Sequence, residues 1–324
     1  MMLAALRAAL VVGMAGVLCL AGCGADSDRG AGPLTPPSEP TESVLSCDAP
    51  CYGDGATLGE ITADTAMEVS GIAASARTPG VYYVVSDEAG TSQVAAVDEG
   101  GDLVGRIEVE GMDAANAEAL EVGPCGDAPD ESCLYVGDIG DHIGRDDVVV
   151  YRLREPDVAA ASTGPVPADA LRYTYADGPT DAEALIVDDD GRPLIASKSE
   201  SARLYRGPAS GGVLEAVGDI DLPEPVDGLF AEMVGNVVTG AATAPGRVVL
   251  RTYDEVIEYR AADGDDAADL AQFPRWSWRR VPAGSLIQAE AITYRLDECG
   301  YLTVSELTGT ITGVPCTENV PTSS

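Results

Sequence analysis

A strand pattern that recurs five times restricts the fold of this sequence more than any other feature. Its copies read SGIAAS from Ser70, AEALEV from Ala117, AEALIV from Ala182, VTGAAT from Val238 and AEAITY from Ala289. A second and a third strand-like run follow each copy, cut by Gly, Asp and Pro, and no long stretch has helical periodicity. The copies start about 47 to 65 residues apart, close to the span of a four-stranded propeller blade. The sequence therefore predicts an all-β fold, a β-propeller.

Five blades are expected, with a ring closed by an N-terminal strand. The positions taken as equivalent in the five repeats are Gly71, Glu118, Glu183, Gly240 and Glu290. After the last of them the chain has room for only three strands, so the segment 56–64 is expected to supply the fourth and to cover the open edges. Six blades are the runner-up if the stretch 231–283 contains an extra one. A β-sandwich is the other fold that this strand spacing allows.

The N-terminus predicts export and a lipid anchor. Residues 1–22 read as a lipoprotein signal peptide, with Arg7 followed by an apolar run that is too short to span a bilayer. The small residues before Cys23 resemble a lipobox, which predicts a lipid on Cys23. Residues 23–46 are rich in Gly, Pro, Ser and acids and predict a flexible tether. We expect a protein held on the extracytoplasmic face of the cell membrane, with an ordinary secreted protein as the alternative.

The cysteines agree with export. Residues 47–320 are expected to form the propeller domain, followed by a tail at 321–324. The domain contains an even number of cysteines, and their spacing suggests three local disulfides, although the sequence alone does not choose the pairing. The suggested pairs are Cys47 with Cys51, Cys125 with Cys133, and Cys299 with Cys316. A zinc site is the alternative, but the chain has no CxxC pair, and its one histidine, His142, lies in an acidic, glycine-rich turn.

The charge of the chain limits its partners. A formal net charge of −35 repels phosphate backbones, so we expect no nucleic-acid binding. Cations are the expected partners.

Charged residues from separate repeats are expected to meet at one mouth of the propeller channel. The first strand of a blade lines the channel, and the start of that strand lies on the same rim as the end of the antiparallel second strand. Glu118, Glu183 and Glu290 fall at first-strand starts. The residues at second-strand ends are Asp87, Asp138, Lys198, Thr252 and Glu306.

Neighbouring carboxylates require a raised pKa or a compensating cation. One solution is a calcium ion held by the metal-ligand candidates Glu118, Glu183 and Glu290, since Ca²⁺ prefers oxygen ligands. The other is a ring of ion pairs without metal, in which Lys198, the only lysine, and Arg251 neutralise the glutamates. The sequence leaves both solutions open.

Several segments carry a family resemblance. They are SGIAAS…YYVVSDE from Ser70 to Glu88, NAEAL…LYVGDIGD, DAEALIVD, and QAEAI…TVSE. Together they resemble actinobacterial secreted lipoproteins of predicted β-propeller fold, and more distantly the SdiA-regulated family and the esterase-like phytase domain. The resemblance implies calcium near the propeller axis, at Glu118, Glu183 and Glu290. This chain has Ala rather than Gly after each of these glutamates, so the ligand geometry differs.

Two functions fit these features. The favoured one is a non-catalytic binding module for an extracytoplasmic ligand or protein, with a cation or ion-pair site at the mouth. Its ligand-binding candidates are Asp87, Asp138, Lys198, Arg251 and Glu306. The alternative is a calcium-assisted hydrolase of a lactone, ester or phosphate ester, with Glu183 as general base and Lys198 stabilising negative charge. Covalent serine catalysis is not expected, because the chain has no GxSxG motif.

Overall fold

A computed structural model describes most of the 324-residue chain. The described residues are 51–141, 144–158, 164–226, 229–262, 264–284 and 287–317. The predicted signal peptide, the lipid on Cys23, the tether, Cys47, His142 and the tail lie outside them. No helix within the described ranges is long and apolar enough to cross a membrane.

Twenty of the 23 described strands form five antiparallel units of four, numbered here along the chain, and the two-residue strands Cys51–Tyr52, Val166–Pro167 and Cys316–Thr317 lie outside these units. Two strands precede the first unit: β1 (Cys51–Tyr52) and β2 (Ala56–Glu60). Unit one comprises β3 (Val69–Ala74), β4 (Val81–Ser86), β5 (Gln93–Asp98) and β6 (Leu103–Glu110). Unit two comprises β7 (Ala117–Cys125), β8 (Ala128–Asp138), β9 (Val148–Arg154) and, after the short β10 (Val166–Pro167), β11 (Asp169–Tyr175). Unit three comprises β12 (Ala182–Val187), β13 (Pro193–Ser197), β14 (Arg203–Arg206) and β15 (Gly212–Asp219).

The remaining units complete the fold. The helix α1 (Leu229–Val234) precedes unit four, which comprises β16 (Val238–Ala244), β17 (Arg247–Thr252), β18 (Val256–Arg260) and β19 (Ser277–Val281). A 3-10 helix, η1 (Leu270–Arg275), lies before β19. Unit five comprises β20 (Ala289–Tyr294), β21 (Tyr301–Ser305) and β22 (Thr310–Val314), with β2 as its fourth strand, and β23 (Cys316–Thr317) follows.

The inner strands form a closed ring. Strands β3, β7, β12, β16 and β20 each contact the next, and β20 contacts β3. Each unit runs outward from its inner strand by antiparallel pairing. The predicted all-β propeller is confirmed. Units two and three merge into one eight-stranded sheet through parallel pairing of β11 with β15. The number of separate sheets therefore does not give the number of blades. The count of five, with six as runner-up, stays a prediction.

The two ends of the described chain meet in unit five. Strand β2 pairs with β22, which confirms the predicted closure by an N-terminal strand, and β1 pairs with β23. The disulfide Cys299–Cys316 lies beside this junction, and Cys125–Cys133 links β7 to β8, as predicted. Pairing first with last strands removes exposed edges that would otherwise invite association.

A buried glutamate joins β1 to unit four. Glu258 is fully buried and accepts hydrogen bonds from Tyr52 at 2.5 Å and from the Nε atoms of Arg260 at 2.5 Å and Arg279 at 2.8 Å. Burial alone would raise the pKa of Glu258, but the hydrogen bonds from Arg260 and Tyr52 outweigh it and hold this pKa below its ordinary value. This carboxylate is fully charged and fully partnered, as a stable buried charge must be.

Candidate functional site: the acidic mouth of the channel

Each inner strand has a β-bulge at its second residue. The bulged residues, which lie between two residues paired to the second strand, are Ser70, Glu118, Glu183, Thr239 and Glu290. A bulge re-aims the extra side chain, which here turns three glutamates toward the mouth. The three metal-ligand candidates therefore occupy one structural position in three units.

The predicted equivalence of Gly71 and Gly240 with these glutamates is wrong by one residue. Gly71 pairs with Val85 and Gly240 with Arg251, in the register of the alanine that follows each glutamate. A Cβ atom on Gly240 would lie 2.4 Å from the carbonyl oxygen of Glu290 in the neighbouring inner strand. Glycine is needed there because the strands approach closely.

The ends of the second strands are also offset by one residue from the predicted alignment. Their last paired residues are Ser86, Asp138, Ser197, Thr252 and Ser305. Asp87, Lys198 and Glu306 come one residue later, where their amides bond to carbonyl oxygens of the segments that enter β3, β12 and β20. The residue in that position of unit four is Tyr253. The prediction that Asp138 and Thr252 share the position of Asp87, Lys198 and Glu306 is therefore wrong.

Lys198 and Glu183 form the central ion pair of the mouth. The Nζ atom of Lys198 donates a hydrogen bond to Oε1 of Glu183. Burial alone would lower the pKa of Lys198, but the charges of Glu183 and Tyr253 raise it. Glu183 is only 5% exposed, and its second carboxylate oxygen, Oε2, accepts no hydrogen bond from the residues that the structure describes. An unpartnered buried oxygen of this kind is costly unless a donor or cation reaches it.

Glu118 and Glu290 flank this pair. Asn116 donates a hydrogen bond from Nδ2 to Oε1 of Glu118. Burial and the charge of Glu183 raise the pKa of Glu118 well above its ordinary value. Burial and the charges of Glu183 and Glu306 do the same for Glu290. Burial also raises the pKa of Glu183, to about 7, against the opposing charge of Lys198.

Asp87 and Glu306 extend the acidic surface across units one and five. Burial and the charges of Glu306 and Glu68 raise the pKa of Asp87 to about 7. Oδ1 of Asp87 is buried and accepts no hydrogen bond within the described part of the chain, while Gln288 donates a hydrogen bond to Oε2 of Glu306. Carboxylates from four of the five units therefore meet at this mouth.

Two residues behind this rim have strained backbone. Glu68 has φ of 50° and Gln288 has φ of 49°, which is unusual for residues other than glycine. They occupy equivalent positions, since their carbonyl oxygens accept from the amides of Asp87 and Glu306. Such strain costs about 1–3 kcal/mol and is commonly found at functional sites.

Tyr253 is a candidate site residue that the sequence analysis did not predict. It is 8% exposed, and Nζ of Lys198 lies 5.3 Å from the centre of its ring. Burial and the charges of Glu183 and Glu290 raise the pKa of Tyr253. The signal for it is its position directly after β17, because the residues that follow the second strands, and not the last residues of those strands, face the mouth.

Asp138 and Arg251, two predicted ligand-binding residues, are engaged elsewhere. Asp138 forms an ion pair with Arg145 at 2.6 Å and accepts the amide of Asn116 at 2.9 Å. Arg251 is fully buried and donates to the carbonyl oxygens of Ala283 at 3.0 Å and Tyr253 at 3.3 Å. Burial lowers the pKa of Arg251 to about 10. Arg251 therefore does not neutralise the glutamate ring, and we place neither residue in the site.

The mouth provides suitable atoms for a cation but no ready-made metal shell. Carboxylate oxygens are the ligands that Ca²⁺ prefers. Among the residues that the structure describes, no three or more acidic, His or Cys side chains are grouped so as to hold one metal ion. Lys198 already supplies positive charge at Glu183. Calcium at Glu118, Glu183 and Glu290 stays a prediction.

A cavity of about 430 Å³ lies beside the mouth. Its walls come from the segment between β2 and β3, from the β4–β5 loop and from β5. Arg106 donates to the carbonyl oxygen of Thr65 at 2.8 Å and to that of Asp64, which holds the first wall in place. Ser86 and Glu88 line the cavity, and Asp87 between them belongs to the mouth.

Comparison with known proteins finds distant similarity to solved structures. No family model and no curated protein matches the chain. A streptogramin B lyase structure is similar with a TM-score of 0.42 and 11% identity, covering 81% of this chain and 97% of that one. The PQQ-bound aldose sugar dehydrogenase from Streptomyces coelicolor is similar with a TM-score of 0.46 and 11% identity, covering 83% and 98%. The β-propeller domain of Myceliophteria thermophila Cps50 (Swd1) has a TM-score of 0.35 and 11% identity, covering 76% and 82%. Likenesses this weak carry no argument about this chain.

Proposed function

We propose that this protein is a β-propeller binding module whose acidic mouth takes a positively charged ligand. It acts at the extracytoplasmic face of the membrane, where a lipid on Cys23 anchors it. This part of the proposal is based on the residues before Cys23, which resemble a lipobox. The observation that carries the proposal is Oε2 of Glu183, a buried carboxylate oxygen that accepts no hydrogen bond from any described residue and lies near the charges of Glu118 and Glu290. A cation seated there relieves the repulsion that raises these pKa values.

The supply of positive charge supports this proposal. The mouth contains glutamates from three units together with Asp87 and Glu306, against the single ammonium of Lys198. Without a further cation, some of these carboxyls must be protonated near neutral pH. A cationic ligand therefore binds in exchange for protons, and its affinity rises with pH.

Calorimetry tests the proposal. Calcium and methylammonium are titrated separately into chelator-treated protein at pH 6 and pH 8, with Glu183→Gln as the site variant. Glu215→Gln is the matched control, because Glu215 is an exposed residue of β15. We expect at least one cation to bind, more tightly at pH 8, and Glu183→Gln to weaken binding at least tenfold. Absence of heat and of any melting-temperature shift with both cations would contradict the proposal.

The second candidate is the calcium-assisted hydrolase. The pKa of Glu183, raised to about 7, favours it, because a general base works best with a pKa near the operating pH. Lys198, bonded to Glu183, is then placed to stabilise developing negative charge. A screen of lactones, esters and phosphate esters with added Ca²⁺ tests it, and turnover that Glu183→Gln abolishes would support it. Uniform inactivity of the wild type would contradict it.

A further inference from the structure

Exposed apolar side chains are concentrated along one arc of the mouth. Twelve large apolar side chains among the described residues are exposed, and six of them lie on segments that enter an inner strand or follow a second strand. These six, called the apolar rim here, are Met67 in unit one, Val226, Met233 and Val234 before unit four, and Ile287 and Leu307 in unit five. Units four, five and one are consecutive in the ring, because β16 contacts β20 and β20 contacts β3. Single exposed apolar residues are ordinary, whereas a group on one surface is typical of an interaction site.

Hydrogen bonds place the unit-five part of the apolar rim beside the acidic mouth. The carbonyl oxygen of Ile287 accepts the hydroxyl of Ser305 at 2.6 Å, directly after which Glu306 follows in the chain. The carbonyl oxygen of the next residue, Gln288, accepts the amide of Glu306 at 3.0 Å. Leu307 is the residue after Glu306 and is 51% exposed. Two exposed apolar residues therefore adjoin one carboxylate of the mouth.

Unit one repeats this arrangement. Met67 is exposed, and the carbonyl oxygen of the next residue, Glu68, accepts the amide of Asp87 at 3.4 Å. Asp87 and Glu306 are close enough for the charge of Glu306 to raise the pKa of Asp87. Both residues are partly exposed, whereas the glutamates of the inner strands are buried. Asp87 and Glu306 therefore form the edge of the acidic surface that a partner meets first.

Strained backbone accompanies the apolar rim in both units. Glu68 has φ of 50° and Gln288 has φ of 49°, and each directly follows an exposed apolar residue, Met67 or Ile287. Residues other than glycine keep such a conformation only where the surrounding structure imposes it, and they are frequent at ligand-binding surfaces. The same strained turn with the same exposed neighbour occurs in two adjacent units, which indicates a common role.

The helix α1 extends the apolar rim toward units three and four. The amide of Ala231 in this helix donates to the carboxylate of Asp254, the residue after Tyr253, at 2.8 Å. Gly235, directly after the helix, lies so close to Glu200 that a Cβ atom on it would be 2.9 Å from Oε1. These contacts hold α1 between the loops that follow β13 and β17, and its last two residues are exposed. The helix thus presents apolar side chains at the same mouth.

The charge of this surface favours one class of occupant. The mouth contains carboxylates from four units against the single ammonium of Lys198. The chain as a whole has a formal net charge of −35, which repels an anionic membrane surface and a second copy of the chain. A protein segment that carries a basic side chain meets attraction instead, and apolar neighbours in that segment bury the apolar rim.

We propose that the apolar rim and the mouth together dock a protein segment that presents a lysine or arginine flanked by large apolar side chains. The basic side chain lies at the mouth beside Asp87 and Glu306, and the flanking side chains pack on the apolar rim. This inference rests on the proposed function and identifies the cationic ligand as part of a protein partner. Binding then depends on both the charge and the apolar flanks of the segment, which distinguishes it from a simple cation site.

Substitution of exposed residues tests the apolar rim without disturbing the core. Ile287→Ser combined with Leu307→Ser removes its unit-five part. Leu103→Ser combined with Val104→Ser is the matched control, because both residues are exposed at the start of β6. That end of β6 lies away from the mouth, since β4, β5 and β6 are successively antiparallel and β4 ends at the mouth. Asp87→Asn removes charge from the mouth.

The probe is a library of heptapeptides, blocked at both ends, with lysine at the centre and random residues at the other positions. We expect peptides recovered on the full-length chain to be enriched in Leu, Ile, Phe and Met beside the lysine. In calorimetry, the double rim variant and Asp87→Asn should each bind a recovered peptide at least tenfold more weakly than the wild type. Replacement of its lysine by norleucine should weaken binding as much, and the control variant should bind it as the wild type does.

Two results would overturn the inference and leave the cation-binding function intact if calcium or methylammonium still binds. One is recovery of peptides without apolar enrichment, or equal binding to the wild type and the double rim variant. The other is binding that survives replacement of the lysine by norleucine, since the mouth then takes no part.

Other occupants of the apolar rim give different results. Binding to phosphatidylcholine vesicles, or self-association in sedimentation, that the double rim variant loses while no peptide binds would overturn the inference in favour of a membrane or a second copy. If neither the peptides nor calcium nor methylammonium binds the wild type, the proposed function fails and the inference fails with it.

Discussion

The only lysine of the chain, Lys198, donates a hydrogen bond to Glu183, a residue of the neighbouring inner strand of the same unit, at the mouth of the propeller channel. The ammonium interacts with Tyr253 and Glu290 from units four and five as well as with Glu183. One cation thus connects three of the units around the ring. The negative charge of the mouth carboxylates is larger than this one cation can neutralise. Their mutual repulsion, together with burial, raises their pKa values.

Removing Lys198 should destabilise the protein in a pH-dependent way. Lys198→Met leaves Glu183 buried without its partner, and breaking a buried pair costs about 3 kcal/mol. The loss should be largest at pH 8, where the carboxyls are ionised, and smaller at pH 5, where they take up protons. Urea unfolding at both pH values measures it, with Lys198→Arg as the control that keeps the charge. An equal loss at both pH values would contradict the role assigned to charge.

The wild type should lose stability as pH rises from about 4 to about 7. The folded-state pKa values of Asp87 and Glu183 are raised to about 7, above the ordinary values of about 4. The folded state therefore binds more protons than the unfolded state in this window, and its free energy of unfolding falls with pH. Urea unfolding across this range measures the slope.

Substitution at Asp87 should reduce that slope. Asp87→Asn removes one of the raised groups, whereas Asp102→Asn changes an exposed residue outside the mouth and should leave the slope as it is. Constant or rising wild-type stability between pH 4 and 7 would show that the mouth carboxyls are not crowded.

Tyr253 should hold Lys198 through both its ring and its hydroxyl, which forms a side-chain hydrogen bond with the ammonium. The ring lies 5.3 Å from Nζ, within the range of a cation–π contact, which contributes about 1 kcal/mol. Tyr253→Leu should therefore raise the rate at which a mild acylating reagent modifies Lys198, while Tyr253→Phe, which loses the hydrogen bond but keeps the ring, should raise that rate less. Mass spectrometry reads this rate directly, because the chain has no other lysine. Equal rates of Lys198 modification in Tyr253→Leu and Tyr253→Phe would show that the ring does not hold Lys198.

The attachment of β1 to unit four should depend on Tyr52. Its hydroxyl donates at 2.5 Å to the buried carboxylate of Glu258, and a hydrogen bond to a charged group contributes about 2 kcal/mol. Tyr52→Phe should lower the free energy of unfolding by about that amount. Tyr82→Phe is the matched control, because Tyr82 is a buried tyrosine of β4. Equal effects of the two substitutions would contradict a specific role for the Tyr52 hydroxyl.

The propeller and its closing strand were predictable because they rest on repetition. Runs such as AEALIV recur at blade spacing, and the segment from Ala56 has no partner except the last unit. The position of Glu118 relative to Glu183 was predictable for the same reason, since identical segments fold identically. Local cysteine spacing likewise pointed to the Cys125–Cys133 and Cys299–Cys316 disulfides.

The finer register was not predictable, because a bulge adds a residue without any signature in a single repeat. Ser70 and Thr239, not the adjacent glycines, share the position of Glu183. The same shift concealed Tyr253. The cavity beside Asp87 depends on how the segment before β3 folds over the β4–β5 loop, and no periodicity encodes that arrangement.

A double-substitution cycle tests the central claim most directly, which is that carboxylates from separate units share one site. Glu183→Gln, Glu290→Gln and the double variant are compared with the wild type by urea unfolding at pH 8. Because the charge of Glu183 raises the pKa of Glu290, we predict a coupling energy above about 0.5 kcal/mol. The same cycle with Glu183 and the exposed Glu215 should be additive. Additivity of Glu183 and Glu290 within error would contradict a shared mouth.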